Sequence, residues 1–341
     1  MAQRQSNIEL LRIISMAMIV IVHLDVASLG LSAPAKYISD ITARHWWQLI
    51  VESAVIIGVN CFTLISGYFG IHARWSGFWK LTAQCMFYAV GIYSALAIAG
   101  LVPWNLQTWL ESWMVYTHTD LWYVPAYLGL FLLSPFINAA VTQLSRKQFG
   151  IWLGAFILFN VWAGWVWGGR FNPTGYTVIQ LVMMYLIGRY IGLYAPAVSC
   201  PKKLRLSCVI IYIAATAGIT LYAGLVDISK TFAYNSPLVI ISSVAFFLIF
   251  TTFRIKSGII NSIASSAFAV YLIHKNPYIW GGFMKRLSVD VWSHNDLLVY
   301  SAYTLAFTAG IFIVACVVDS FRRRLFRLIE SLFGNKVKIN L

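Results

Sequence analysis

The sequence predicts an all-α integral membrane protein, a polytopic bundle of about ten transmembrane helices with both termini in the cytoplasm. Three observations carry that prediction. Hydrophobic residues make up 60% of the chain and charged residues only 11%, against about 25% charged in a soluble domain; mean hydropathy is +0.75. Ten apolar stretches come near the ~20 residues a helix needs to span a bilayer. Lysine and arginine are distributed unevenly between alternate connecting segments. Aromatics at 16%, with 14 Trp, suit the belts at membrane–water interfaces. A formal charge of +14 invites a nucleic-acid reading. In so apolar a chain the basic residues report orientation instead, and no nucleic-acid partner is expected.

The apolar stretches run approximately over 8–29, 46–70, 78–102, 121–141, 149–167, 177–194, 207–226, 237–253, 263–281 and 298–319. Segment 103–120 is aromatic and too polar to span, which places it at the interface. With the N-terminus inside, 18 of 25 basic residues fall on the cytoplasmic side, from Arg4 and Arg12 to a basic tail over 320–341. Most acids, Asp25, Asp40, Glu111 and Asp120 among them, fall outside. This is the positive-inside pattern. Ala33-Pro34-Ala35 is a passable cleavage site, but the run before it exceeds a signal peptide's roughly 7–15 apolar residues and contains His23, so no cleavage is expected. Five cysteines (Cys61, Cys85, Cys200, Cys208, Cys316) sit in spans or cytoplasmic segments without a C-x-x-C pair. Neither disulfides nor a metal site are expected. Without linker, low-complexity run or fixed-period repeat, the chain reads as one membrane domain.

An ionisable residue inside a bilayer is costly and marks a candidate site. The first stretch carries Glu9, Arg12, His23 and Asp25. Arg12 and His23 are eleven residues apart, about 1,100° of helix, within about 20° of three turns and roughly 16 Å along the axis. They share a face, with Met16 and Ile19 between them. An arginine's planar fork suits phosphate, and histidine suits proton transfer near neutral pH. The bland alternatives are a snorkelling Arg12 and a packing His23. Asp25 lies about 140° round the helix from His23 and would orient it only if the helix unwound there. Glu52 and Asn60 are too polar to face lipid and are expected inside the bundle, either in a site or in structural hydrogen bonds. Trp122 and Tyr123 are belt residues or a sugar-stacking platform. His274 lies as deep as His23, so the two can converge. Ser66-Gly67 is not a nucleophile elbow, since position 64 is Leu; small residues that let two helices approach closely are the simpler account. The run Arg322-Arg323-Arg324-x-x-Arg327 reads as an anchor to anionic lipid.

Four motifs in order resemble the membrane-bound acyltransferase-3 family: Glu9-x-x-Arg12 followed by His23; Phe62-Thr63-Leu64-Ile65-Ser66-Gly67-Tyr68; Leu121-Trp122-Tyr123 running to Leu132-Leu133-Ser134-Pro135; and Tyr271-Leu272-Ile273-His274. Together they cover residues 7 to about 280. The chain departs from the pattern at Asp120, where the family often has His (His118 lies two places earlier), and at Lys275-Asn276-Pro277, where Pro more often follows His directly. The soluble esterase-like domain that some members append has no counterpart, so the membrane domain is expected to act alone or with a separate partner.

The resemblance implies a membrane O-acyltransferase that takes an acyl group, most often acetyl, from cytoplasmic acetyl-CoA. It delivers the group to a hydroxyl of a cell-envelope glycan or lipid-linked saccharide. His23 is then the catalytic residue, as general base or covalent carrier. Arg12, Arg74 and Lys80 bind the donor. Glu52, Asn60, Asp120, Trp122, Tyr271 and His274 are candidates for acceptor binding or support. The expected partners are acyl-CoA, the glycan and membrane lipids, with no permanently bound cofactor or metal, in a cell (inner or plasma) membrane. The same polar stripe fits two other classes: a secondary transporter or flippase of an envelope precursor, and a non-catalytic membrane partner of the same fold.

Overall fold

A computed structural model of the chain describes residues 4–31, 34–117, 121–168, 170–195 and 201–333. Ala33, His118, Asp120, Cys200, Lys336 and Lys338 lie outside the described residues. Every regular element among the described residues is helical. The main helices are α1 (Ser6–Leu24), α2 (Ala43–Val55), α3 (Gly58–Phe69), α4 (Trp75–Ile98), α5 (Tyr123–Thr142), α6 (Arg146–Asn160) and α7 (Val178–Tyr194). They continue with α8 (Pro201–Leu225), α9 (Pro237–Thr251), α10 (Gly258–Ala264), α11 (Ala267–His274), α12 (Lys285–His294) and α13 (Leu297–Phe333).

Among the described residues, seven helical segments are long and apolar enough to cross a membrane: Ser6–Leu29, Ala43–Phe69, Trp75–Ile98, Tyr123–Thr142, Arg146–Val166, Pro201–Leu225 and Leu297–Leu332. Three apolar helical segments are shorter: Val178–Tyr194, Pro237–Thr251 and Gly258–His274. The short ones lie mostly inside the bundle, where protein rather than lipid covers them. Large apolar side chains such as Ile98, Phe136 and Trp152 point outward. In water such a surface would aggregate; in hydrocarbon it is the expected exterior.

At the centre stands α1, which packs against α3, α9, α10, α11 and α13. The most extensive contact in the protein joins α3 to α7. Glycine makes it possible. A Cβ on Gly67 would lie 2.0 Å from the Tyr185 carbonyl oxygen, and Cβ atoms on Gly188 and Gly192 would each lie 2.3 Å from carbonyl oxygens of α3. Gly188 and Gly192 are four residues apart and so stack on one face of α7, the small-xxx-small device of membrane helices. Gly67 is thus a packing residue, as its sequence context implied.

The helices differ from the sequence limits in several places, the first stretch among them, where α1 ends at Leu24. The second stretch is two helices, broken at Ile56-Ile57; the Ala54 carbonyl beside the break accepts a hydrogen bond from the Tyr212 hydroxyl at 2.9 Å. The ninth stretch begins earlier, at Gly258, and breaks at Ser265-Ser266 and again after His274, where Pro277 supplies no N–H. Helix α13 runs on to Phe333, so the start of the expected tail is helical. At 37 residues it is about 55 Å long, well beyond a hydrocarbon core of roughly 30 Å.

Replacing Gly67 with Ala should destabilise the protein by about 1–3 kcal/mol through forced separation of α3 and α7. Gly91→Ala, where a Cβ meets nothing within 4 Å, should be neutral or slightly stabilising. Thermal unfolding of both variants in one detergent checks the contrast; equal melting would mean that the glycine contact does not hold the pair together.

Candidate functional site

The stripe on α1 has a cavity at each end. Near Arg12 lies a vestibule of about 430 Å³ with Arg4, Glu9, Arg12 and Arg323 among its lining. Near His23 lies a cavity of about 20 Å³ touched by Met16, Ile19, His23, Trp122, Tyr234 and Tyr271. Phe62, Tyr123 and Phe268 line both. One set of aromatic walls therefore separates a basic chamber from a histidine chamber.

The helical backbone breaks just beyond His23. Asp25 has φ −88° and ψ −101°, which ends α1. The freed carbonyls are satisfied locally: Ser28 Oγ donates to the His23 oxygen at 2.5 Å and the Tyr300 hydroxyl to the Leu24 oxygen at 2.8 Å. Despite this unwinding the Asp25 carboxylate does not turn to His23. Its Oδ1 accepts from Gln48 Nε2 at 3.3 Å, and its Oδ2 is buried without a partner.

The partner of His23 is His274, from α11. His274 Nε2 lies 3.1 Å from His23 Nδ1. Each ring also meets the carbonyl four residues earlier: His23 Nδ1 to Ile19 at 2.8 Å and His274 Nδ1 to Val270 at 2.7 Å. These contacts assign the tautomers. His274 Nδ1 can only donate to a carbonyl, so in the neutral ring Nε2 is an acceptor. His23 Nδ1 then faces two acceptors and must carry the proton. The lone pair of His23 is left on Nε2, where the ring can act as base or nucleophile. Trp280 meets His23 edge-on at 6.3 Å, and the Lys275 ammonium lies 3.5 Å from the centre of the Trp280 ring.

At the other end, Arg12 Nε pairs with Glu9 Oε2 at 3.1 Å, and its guanidinium lies 5.6 Å from the Phe62 ring. Arg12 thus lines the vestibule between Glu9 and Phe62. Arg4 donates to the Asn261 carbonyl at 3.1 Å. Arg323 comes from α13, far along the chain. Fully buried Asp319 holds it there, pairing with both Arg322 and Arg323. Asp319 also accepts from Tyr88 and from Ser266, each at 3.1 Å. The run read as a lipid anchor therefore turns two of its arginines inward. Sequence reasoning missed Arg323 because a basic run after a span is the ordinary sign of topology; the signal lay in Asp319, one turn earlier on the same face.

The other candidates scatter. Arg74 lies in a separate groove beside Phe78, Phe131 and Pro135, away from Arg12. Lys80 pairs with Glu330 at 3.3 Å, both well exposed, in a groove that shares Leu81 and Arg323 with the vestibule. Asn60 is engaged within the protein: its Nδ2 donates to the Tyr234 carbonyl at 3.0 Å and its Oδ1 accepts from Gln180 at 3.2 Å. Glu52 is 2% exposed and its Oε2 has no partner. Trp122 stacks on Tyr234 against the His23 cavity. Tyr271 and Tyr123 meet at 5.9 Å, and both hydroxyls are buried without partners.

The sequence model of the acyltransferase-3 family, described as an acyltransferase domain, matches residues 5–318. No curated protein matches the chain, and no solved structure does.

Removing the Asp319 carboxylate should leave Arg322 and Arg323 uncompensated. Asp319→Ala should therefore lower stability by roughly 3 kcal/mol, and Arg324→Ala, which lacks that pairing, by much less. Melting of the two variants in detergent measures the difference; a harmless Asp319→Ala would show that the vestibule wall does not depend on it.

Proposed function

Because the chain belongs to the acyltransferase-3 family and is a multi-pass membrane acyltransferase, we propose that it moves an acetyl group from cytoplasmic acetyl-CoA to a hydroxyl of a cell-envelope glycan or its lipid-linked precursor. The observation that carries this reading is the pair of chambers on one face of α1, basic at the Arg12 end and histidine-lined at the other, with Phe62, Tyr123 and Phe268 common to both. In this reading the three shorter apolar helices complete ten crossings, both termini are cytoplasmic, and the membrane is the cell's inner or plasma membrane. The vestibule then opens to the cytoplasmic donor, and membrane lipids surround the rest.

The donor's phosphates meet Arg4, Arg12 and Arg323, whose guanidinium forks bind phosphate oxygens in pairs. The pantetheine arm follows Met16 and Ile19 to bring the thioester to His23. At about 20 Å³ the inner cavity has room for about one water, so entry requires flexible walls such as Met16 to give way. His23 Nε2 takes the proton of the acceptor hydroxyl. The oxygen attacks the thioester carbonyl carbon, forming the new C–O bond. The Tyr123 and Tyr271 hydroxyls are the donors nearest at hand for the oxyanion. The C–S bond breaks, and the CoA thiolate takes the proton back from the His23 imidazolium. Throughout, the Nδ1–H of His23 stays shared between Ile19 O and His274 Nε2, which holds the ring as the carboxylate holds histidine in a hydrolase triad.

The test is transfer of label from radiolabelled acetyl-CoA to the host's own envelope glycans by membranes carrying equal amounts of inserted protein. His23→Ala should lose roughly 10²–10⁴-fold. Arg12→Ala should raise the KM for acetyl-CoA more than it lowers kcat, as loss of donor binding requires. Wild-type rates from His23→Ala would refute its role as base; absence of transfer by the wild type would refute the acetyl-CoA reading.

A further inference from the structure

The His23 cavity has a second aromatic wall that the Arg12 vestibule does not share. Three rings gather there. Trp122 and Tyr176 lie 4.6 Å apart, Tyr176 and Tyr234 4.8 Å, and Trp122 stacks on Tyr234 at 5.8 Å and 28°. Trp122 and Tyr234 also line the His23 cavity. Tyr176 does not, and it is 47% exposed. The cluster thus has one side against the reacting histidine and one side open at the surface.

Glu52 of α2 lies beside these rings and interacts electrostatically with the phenols of Tyr176 and Tyr234. It is buried, and its Oε2 has no hydrogen-bond partner. An unmatched buried carboxyl oxygen is expensive in so apolar a setting. Beside these rings it is a hydrogen-bonding group with capacity to spare.

The loops that carry the rings are rigidly joined. Tyr234 N donates to the Thr174 carbonyl at 3.0 Å and Asn235 Nδ2 to the Asn172 carbonyl at 2.5 Å. Gly175, with φ +81°, lets the two loops touch; a Cβ there would lie 2.7 Å from that of Tyr234. Below them a network of side-chain amides closes on the Tyr234 carbonyl, which accepts from Asn60 at 3.0 Å and Gln180 at 2.8 Å. Asn160 and Asn172 complete the network through Gln180 Oε1. A site whose parts are already ordered loses less entropy on binding.

We infer that Trp122, Tyr176, Tyr234 and Glu52 form the acceptor subsite and that it takes a pyranose ring. The ring's C–H face covers the aromatic surface, one ring hydroxyl donates to Glu52, and another reaches past Trp122 to His23. Asn60 and Gln180 are positioning residues that hold the Tyr234 wall. The inference rests on the acyl-transfer reading above.

The probes are methyl pyranosides, with glycerol as a hydroxyl acceptor that has no ring face, each supplied with radiolabelled acetyl-CoA to the purified full chain. Tyr176→Ala should raise the KM for the pyranosides several-fold to about tenfold, with the KM for acetyl-CoA unmoved and Tyr176→Phe close to wild type. Transfer to glycerol should fall less in Tyr176→Ala than transfer to the pyranosides does. Glu52→Gln, which keeps the shape of the side chain, should raise the pyranoside KM by roughly 10- to 100-fold. Wild-type pyranoside KM values in both Tyr176→Ala and Glu52→Gln, or changes confined to the KM for acetyl-CoA, overturn the subsite. Acetyl-CoA hydrolysis by the wild type without transfer to any pyranoside also overturns it. Failure of the wild type to turn over acetyl-CoA at all overturns instead the reading on which it rests.

Discussion

Hydrocarbon offers no hydrogen bonds, so every polar group at membrane depth must find its partner inside the protein. The whole arrangement of this chain follows from how it meets that demand. Regular helix satisfies most of the backbone. Where helices break, at Asp25 and between α2 and α3, nearby hydroxyls of Ser28, Tyr300 and Tyr212 take up freed carbonyls. The breaks are therefore affordable, and each lies beside the site: one ends α1 just past His23, the other lies between Glu52 and Asn60.

The same demand explains which polar side chains pair and which do not. Asn60, Asn160, Asn172 and Gln180 bind one another and the Tyr234 carbonyl. Asp319 neutralises two arginines and ties α13 to the start of α11. His23 and His274 bind each other and their own helices. Buried side-chain atoms without a hydrogen-bond partner remain at several places among the described residues, from Arg189 and Thr216 to Ser242 and Asn261. Those of Tyr123 and Tyr271 line the His23 cavity, where a polar substrate can use them.

Rigidity and give are divided along the same lines. The glycine contact between α3 and α7 brings backbones together and fixes Phe62, Asn60 and Gln180 in one body. The inner cavity, in contrast, is bounded in part by Met16, Ile19 and Phe268, side chains that can change rotamer without breaking a hydrogen bond. Under the proposed function, polar groups held fixed and apolar walls free to move would admit a thin acyl chain while excluding bulk water.

The sequence by itself determined that the chain is helical and built for a membrane, because apolar length and sparse charge are properties of single segments. It also determined the stripe from Arg12 to His23, since helical periodicity alone places residues eleven apart on one face, and it pointed to the family through four ordered motifs. Only the tertiary structure decided which residues complete each chamber. Arg323 and His274 reach α1 from hundreds of residues away, while Arg74, close to Arg12 in expectation, faces another groove. Asn60 proved to be hydrogen-bonded through both Nδ2 and Oδ1, and Glu52 Oε2 to have no partner, although nothing in their local sequence separates them. The physical reason is that hydrophobicity and period are written along the chain, whereas hydrogen-bond partners belong to pairs of segments. Which segments meet is settled by packing of the whole bundle.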